Sequence, residues 1–105
     1  MITHLTKETF EAEVKKSNVP VLVDFWATWC GPCQMQGKIL EELDKTIPSD
    51  KAKICKVDVD ENQELASSFG VESIPTLLFF KDGEIQHKAV GVRDAASIKK
   101  LLGVN

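Results

Sequence analysis

The sequence predicts one α/β domain over residues 1–105, with a central mixed sheet of about five strands and helices on both faces. Early in the chain, segments typical of strands alternate with segments of helical periodicity, which indicates parallel strands joined by helices. Later, two strand-like segments are separated by Asp82-Gly83, a dipeptide typical of β-hairpins, so an antiparallel pair joins the sheet. A length of 105 residues suits a single domain with its own core.

The first elements are an edge strand, a capped helix and a central strand. Residues 2–5 form a short apolar segment that predicts the edge strand. Thr6 is suited to cap the next helix, which we expect to end near residues 17–18. The apolar positions of that helix are Phe10, Ala12 and Val14. Pro20 then opens a strand over residues 21–26, whose apolar run predicts burial.

A second helix and a further strand follow. The helix is predicted by apolar residues four positions apart, which would form one stripe along its surface. The members of this stripe are Met35, Ile39, Leu43 and Ile47. Pro48 closes the pattern, because proline cannot continue a helix. Residues 53–59 then predict a strand.

The third helix is short. Asp60, with Gln63 three residues later, resembles a capping box at its start. Leu65 and Phe69 supply its apolar positions, and Gly70 is well placed to end it.

A hairpin and a last helix complete the chain. The hairpin strands are predicted over residues 76–81 and 85–90. Asp94 is suited to cap the last helix, whose apolar residues are Ile98, Leu101 and Leu102. The predicted order of elements is therefore β-α-β-α-β-α-β-β-α.

Composition narrows the function classes. The net charge of −3 and the scattered lysines give no support to nucleic-acid binding. The first residues lack a basic segment followed by an apolar stretch, so we expect no signal peptide, although a mature exported chain would look the same. The longest strongly apolar run, residues 76–80, is too short to cross a bilayer, so we expect no membrane association. We expect a monomeric, cytoplasmic protein.

Cys30-Gly31-Pro32-Cys33 is the motif that carries chemistry. It follows a predicted core strand and opens a predicted helix, where residues three apart share one face with β-carbons about 5–6 Å apart. A slightly tightened turn allows a disulfide between Cys30 and Cys33. Partial positive charge at the helix start favours ionised sulfur at Cys30, whereas Cys33 lies one turn further in. We therefore expect Cys30 to attack and Cys33 to resolve.

Two other interpretations of the pair are weaker. Half of a zinc site would need a second pair of ligands, and Cys55, His4 and His87 are scattered, so we expect no metal. An inert structural disulfide would close too short a loop to restrict the unfolded chain much. The third cysteine, Cys55, lies in a predicted strand, and we expect it to be a core thiol.

Five motifs follow one another over nearly the whole chain: Val23-Asp24-Phe25-Trp26-Ala27, Trp29-Cys30-Gly31-Pro32-Cys33, Ile74-Pro75-Thr76, Phe80-Lys81-Asp82-Gly83 and Val90-Gly91. In this order, they resemble the thioredoxin family. The resemblance implies the thioredoxin fold and protein-disulfide reductase activity by thiol–disulfide exchange. It also implies that a thioredoxin reductase restores the dithiol and that disulfide-containing proteins are the substrates. No bound cofactor is expected, because the electrons travel in the cysteine pair.

Asp24 is unusual because it lies within an apolar strand. Burial disfavours the charged form of a carboxylate and raises its pKa. The resemblance implies that this acid assists proton transfer at Cys33. Lys56, in the next predicted strand, is the expected partner of Asp24. A buried ion pair with a purely structural role is the alternative.

The resemblance also implies a substrate-binding surface around Cys30. A cis bond between Ile74 and Pro75, which the resemblance implies, would expose backbone groups to an extended substrate. The sequence alone favours an ordinary proline that starts a strand, and only the resemblance reverses that interpretation. The residues implied in substrate binding are Trp29, Gly31, Pro32, Ile74, Pro75, Val90 and Gly91.

The chain departs from the family pattern just after Cys33. Gln34 replaces the usual Lys or Arg, and Lys38 stands where a proline normally kinks the helix. Gly37 lies inside the helix, where glycine costs about 0.5–1 kcal/mol relative to alanine. An oxidant or isomerase on the same fold, and a binding module whose redox chemistry is incidental, are the competing functions.

Overall fold

The computed structural model describes residues 1–104, and within them the chain forms one five-stranded mixed sheet. The strands are β1 (Thr3–His4), β2 (Val21–Trp26), β3 (Lys53–Asp58), β4 (Thr76–Lys81) and β5 (Glu84–Val90). The α-helices are α1 (Lys7–Phe10), α2 (Gly31–Asp44), α3 (Gln63–Ser68) and α4 (Ala95–Leu102). The predicted fold class and order of elements are confirmed.

The sheet order β1-β3-β2-β4-β5 places β2 at the centre. Strand β2 runs parallel to β3 and antiparallel to β4, and β5 pairs with β4 as the outer strand of the hairpin. Strand β2 is hydrogen-bonded on both edges, and the chain continues from its end, in the middle of the sheet, to Cys30.

Two hydrophobic clusters pack on opposite faces of the sheet. Successive strand residues point to opposite faces. Val23 and Phe25 therefore join the cluster that contains Phe10, whereas Leu22 joins the cluster that contains Leu40 of α2. By the same alternation, Asp24 lies on the face of Leu22, beneath α2 and α4.

The first helix begins as predicted but does not continue as a regular α-helix. Thr6 and Thr9 form a reciprocal capping box. The chain then widens into a π-helical turn over Glu11–Lys15, with Lys16 N donating to the carbonyl oxygen of Glu11. Ala12 and Val14 are two positions apart and cannot both face the core with Phe10, so Val14 is buried and Ala12 is exposed.

The predicted apolar stripe of α2 is partly confirmed, because Leu43 is buried and Ile39 and Ile47 pack against the core, but Met35 does not. Met35 is 60% exposed, and the helix ends at Asp44, before Ile47. The residues that face the core are Cys33, Gln36, Gly37, Leu40 and Leu43. Because a helix has 3.6 residues per turn, residues spaced exactly four apart do not stay on one face over several turns. The buried face also contains Gln36 and Gly37, which an apolar pattern does not detect.

The predicted capping box of α3 is wrong. The N-cap is Asn62, which makes no side-chain cap, because the chain first turns at Asp58. The Asp58 carboxylate accepts hydrogen bonds from the backbone N–H groups of Asp60 and Glu61. Gly70 follows the end of the helix with φ +65°, as expected of a glycine there.

The hairpin turn and the last cap are confirmed. Asp82 and Gly83 both have positive φ, as a tight hairpin turn requires. A Cβ at Gly83 would lie 2.8 Å from the carbonyl oxygen of Lys15, so the turn also packs closely on the π-helical segment. Asp94 accepts a hydrogen bond from Ser97 N at 2.9 Å and caps α4.

Among residues 1–104, none of the helices is long and apolar enough to span a membrane.

Candidate active site

Cys30 and Cys33 form a disulfide at the point where β2 has ended and α2 begins. Cys30 is the N-cap residue of α2, and the two Cα atoms are 5.2 Å apart. The backbone N–H of Cys33 points to Cys30 Sγ at 3.2 Å. This amide and the positive end of the helix lie where negative charge would develop on the sulfur, so they favour a thiolate at Cys30.

The two cysteine residues are both buried but differ slightly in exposure. Cys30 is 6% exposed and Cys33 is 1% exposed, so the outer cysteine is the one a large substrate can reach first. Ala27 packs in the same small cluster, together with the partly buried Trp26 and Ile74. The order of exposure agrees with the predicted division into attacking and resolving thiols.

The segment before β4 lies directly against the disulfide. The Ile74–Pro75 peptide bond is cis, as the family resemblance implied. The Ile74 carbonyl oxygen is 3.9 Å from Cys30 Sγ. The Pro75 carbonyl oxygen accepts a hydrogen bond from Gly91 N at 2.9 Å, so Gly91 is held beside the same segment.

The surface around Cys30 contains exposed apolar groups. Trp29 is 70% exposed, and Val90 and Pro32 are exposed as well. Gly91 has φ +93°, and no heavy atom lies within 4 Å of the place where its Cβ would be. The backbone at Gly91 is therefore open to close approach by another chain.

The indole of Trp29 has a partner that the sequence did not reveal. Its Nε1–H donates to Asp60 Oδ2 at 2.8 Å. Asp60 lies in the turn before α3, and no local spacing connects it with Trp29. Asp60, which the sequence predicted to cap α3, thus binds the exposed indole ring of Trp29, next to Cys30.

Asp24 is fully buried in β2, and neither of its carboxylate oxygens has a hydrogen-bond partner among residues 1–104. Burial raises the pKa of Asp24 from its usual 3.8 to about 7, against the opposing effect of the Lys56 ammonium. A carboxyl group with this pKa can accept or release a proton near neutral pH.

Asp24 and Lys56 are neighbours across the sheet, as expected of partners, but they form no ion pair in the described residues. Their Cα atoms are paired across β2 and β3. Lys56 Nζ instead lies 4.3 Å from the centroid of the Trp26 ring, where the partly exposed ammonium keeps access to water. A Cβ at Gly37 would be 3.3 Å from this Nζ, so the helix glycine leaves room for the cation.

The residues that depart from the family pattern line one cavity that reaches Cys33. This cavity has a volume of about 210 Å³. Its lining comprises Trp26, Cys33, Gln34, Gly37, Lys38, Glu41 and Lys56. The departures thus lie beside Cys33, and Gln34 also donates from Nε2 to the Thr28 carbonyl oxygen at 3.2 Å, two residues before Cys30.

Gln36 is a second residue that sequence reasoning missed. It is fully buried on α2, where its Nε2 donates to the Arg93 carbonyl oxygen at 3.0 Å and its Oε1 accepts from Arg93 N at 2.7 Å. A glutamine in a helix gives no signal of such a contact, because the partner is backbone 57 positions away.

The third cysteine is separate from the site. Cys55 is fully buried on β3, and burial raises the pKa of its thiol to about 11, so it is a poor nucleophile. No group of three or more candidate metal ligands is found in the described part of the chain.

Comparison of the sequence with known proteins identifies a family. A family model described as Thioredoxin matches residues 1–103. The thioredoxin of Bacillus subtilis is 50% identical over 101 residues, which are 96% of this chain and 94% of that protein. The thioredoxin of Rickettsia bellii is 45% identical over 105 residues, covering 100% of this chain and 99% of the relative. That of Pseudomonas aeruginosa is 41% identical over 104 residues, or 99% and 95% of the two chains.

These matches cover the disulfide at the head of α2, the cis-proline segment beside it and the strands that carry both. The chain belongs to the thioredoxin family.

Proposed function

We propose that the protein reduces disulfides in other proteins by thiol–disulfide exchange and that a thioredoxin reductase restores its dithiol. The observation that carries this proposal is the position of Cys30 Sγ at the N-cap of α2, with the Cys33 amide directed at it and the Cys33 sulfur within bonding reach. No bound cofactor is required, because the two electrons are held as the dithiol of Cys30 and Cys33.

The reaction has two exchange steps. The Cys30 thiolate attacks one sulfur of the substrate disulfide, the substrate S–S bond breaks, and its other sulfur leaves as a thiolate that takes up a proton. Cys33 then loses its proton and attacks Cys30 Sγ, which breaks the mixed disulfide and releases the second substrate sulfur. The substrate gains two electrons, and the protein is left with the Cys30–Cys33 bond.

Asp24 is suited to accept the proton that Cys33 loses in the second step. Its pKa of about 7 allows it to be ionised and ready as a base at neutral pH. Alternation along β2 directs it to the face covered by α2, the helix that carries Cys33. Lys56 acts on Asp24 through its charge, since no ion pair joins the two side chains in the described residues.

The proposed substrate surface surrounds Cys30. The apolar side chains at Trp29 and Val90 are exposed, and the backbone at Gly91 is open. The complete proposed set is Trp29, Gly31, Pro32, Ile74, Pro75, Val90 and Gly91. An extended polypeptide segment can lie across this surface with its disulfide at Cys30.

We further propose that residues 1–105 act as one domain, as a monomer in the cytoplasm. A reducing compartment agrees with the buried free thiol of Cys55 and with the bacterial thioredoxin relatives. Trapping thiols with an alkylating agent in intact cells tests the proposed compartment, because in the cytoplasm Cys30 and Cys33 should be mainly reduced. A fully oxidised pair in growing cells would contradict it.

The experiment that tests the function is reduction of insulin by dithiothreitol. We expect a catalytic amount of this protein to accelerate the reaction, while protein alkylated in its reduced state has no effect. Because Cys55 is buried, mass spectrometry of the alkylated sample should show modification at Cys30. Equal rates with the native and alkylated proteins would refute the proposed function.

A further inference from the structure

Gln36 connects the redox helix to the end of β5. It lies one helical turn after Cys33, and its amide makes both of its hydrogen bonds to the backbone of one residue, Arg93. Only one orientation of the amide fits, because the reverse would set NH₂ against an N–H and oxygen against a carbonyl. The contact therefore fixes the distance and the direction of the Arg93 backbone relative to α2.

The segment held by Gln36 also carries the open backbone at Gly91. Gly91 N donates to the Pro75 carbonyl oxygen, and the adjacent Ile74 carbonyl oxygen lies 3.9 Å from Cys30 Sγ. Contacts thus lead from Cys30 through Ile74 and Pro75 to residues 91–93, and through Gln36 back to the helix of Cys33. The segment over residues 91–93 is anchored at Gly91 by the proline segment and at Arg93 by Gln36.

Packing alone does not account for a glutamine here. The neighbouring buried residues of the helix further along are Leu40 and Leu43, and an apolar side chain would fill space without a buried amide. A buried polar group is tolerated when all of its hydrogen bonds are made, and it then specifies one geometry. The specified geometry is that of the backbone beside Cys30.

We propose that Gln36 is a positioning residue that sets the affinity of this protein for polypeptide disulfides, by holding residues 91–93 against α2. The proposal rests on the proposed disulfide reductase function and adds a determinant of its substrate class. Small disulfides need only the sulfur of Cys30, so their reduction does not depend on this contact. An extended polypeptide also uses the Gly91 backbone, so its binding does.

The test compares Gln36→Met, which keeps side-chain length but removes both hydrogen bonds, with Gln86→Met at an exposed position of β5. For insulin, we expect KM of Gln36→Met to rise about fivefold with kcat little changed, as for loss of uniform binding. Its rate with a small aromatic disulfide should stay within about twofold of the natural chain, since the thiol chemistry is untouched. Gln86→Met should match the natural chain with both substrates. An unchanged insulin KM for Gln36→Met, or equal losses with both substrates, would overturn the proposal.

Gln36→Leu provides a second variant that removes both hydrogen bonds and places at this position the side chain found at Leu40 and Leu43. We expect its insulin KM to rise as that of Gln36→Met does, and a value equal to the natural one would count against the proposal. Amide exchange in the natural protein gives a reading that needs no variant. Arg93 N–H should be protected as strongly as Gly91 N–H, and rapid exchange of Arg93 N–H alone would overturn the proposal.

The two proposals fail in different ways. If the natural chain does not reduce insulin, the proposed function fails and the affinity role of Gln36 fails with it. If the natural chain reduces insulin and Gln36→Met does so with the same KM, only the role of Gln36 fails.

Discussion

We expect Cys30→Ser to reduce protein disulfides at least about 10³-fold more slowly than the natural chain, because a serine hydroxyl is not ionised at neutral pH and cannot form the mixed disulfide. The fold should be unaffected, since Cys30 is the N-cap residue of α2 and serine is favoured at that position. Insulin reduction, with circular dichroism as a check of folding, measures this effect.

Cys33→Ser should separate the two exchange steps. Cys30 can still attack, but nothing displaces it, so a covalent complex with the substrate should accumulate. Non-reducing electrophoresis followed by mass spectrometry locates the bond at Cys30. Cys55→Ala is the matched control, because that thiol is buried and separate from the disulfide. Substantial turnover by Cys33→Ser would contradict the assigned order of attack and resolution.

Asp24→Asn should stabilise the protein relative to the natural chain, and this gain in the free energy of unfolding should be larger at alkaline pH than at acid pH. The pKa of Asp24 is raised by burial to about 7 in the folded state, against 3.8 for an ordinary aspartate. Below 3.8 the carboxyl group is protonated in both states and imposes no cost. Between 3.8 and about 7 the unfolded chain ionises first, so stability falls as pH rises. Above about 7 the loss is complete.

The expected size of this effect is roughly 3–4 kcal/mol between about pH 4 and about pH 8, from about 1.4 kcal/mol per pH unit of separation. Urea unfolding of the natural chain and Asp24→Asn at the two pH values measures it. Asp50→Asn, at an exposed loop position, serves as the control and should show no such trend. A difference between Asp24→Asn and the natural chain that is the same at both pH values would show that Asp24 ionises normally.

Asp24→Asn also tests the proposed proton transfer. Without a base beneath α2, the mixed disulfide should persist longer at neutral pH, whereas its formation by Cys30 should be unaffected. Rapid-quench sampling of the covalent complex distinguishes these two steps.

The parts of the fold that follow from local pattern were predictable. The apolar run of β2, the Asp82-Gly83 turn and the Asp94 cap each depend on residues close in sequence, and the structure places all three as expected. Cys30 and Cys33 are predictable for the same reason, since the pair and the helix start at which it lies fall within four residues.

Contacts between distant segments were not predictable from local pattern. Asp60 was assigned to a helix cap and instead binds Trp29, and Gln36 gave no signal of its contact with Arg93. The pairing of Lys56 with Asp24 was inferred from opposite charge, but a partly exposed ammonium is better placed over the Trp26 ring, near water. In each case the partner of the side chain lies far away in the sequence and comes close to it only in the folded chain.

The proposed reaction depends on activation of the Cys30 sulfur by the start of α2. The most direct measurement is the rate at which iodoacetamide alkylates Cys30 at neutral pH in Cys33→Ser, compared with the cysteine of an unstructured peptide of the same local sequence. We expect a rate about fivefold or more above that of the peptide, because the helix terminus and the amide at position 33 increase the thiolate fraction. A rate equal to or below that of the peptide would contradict this activation.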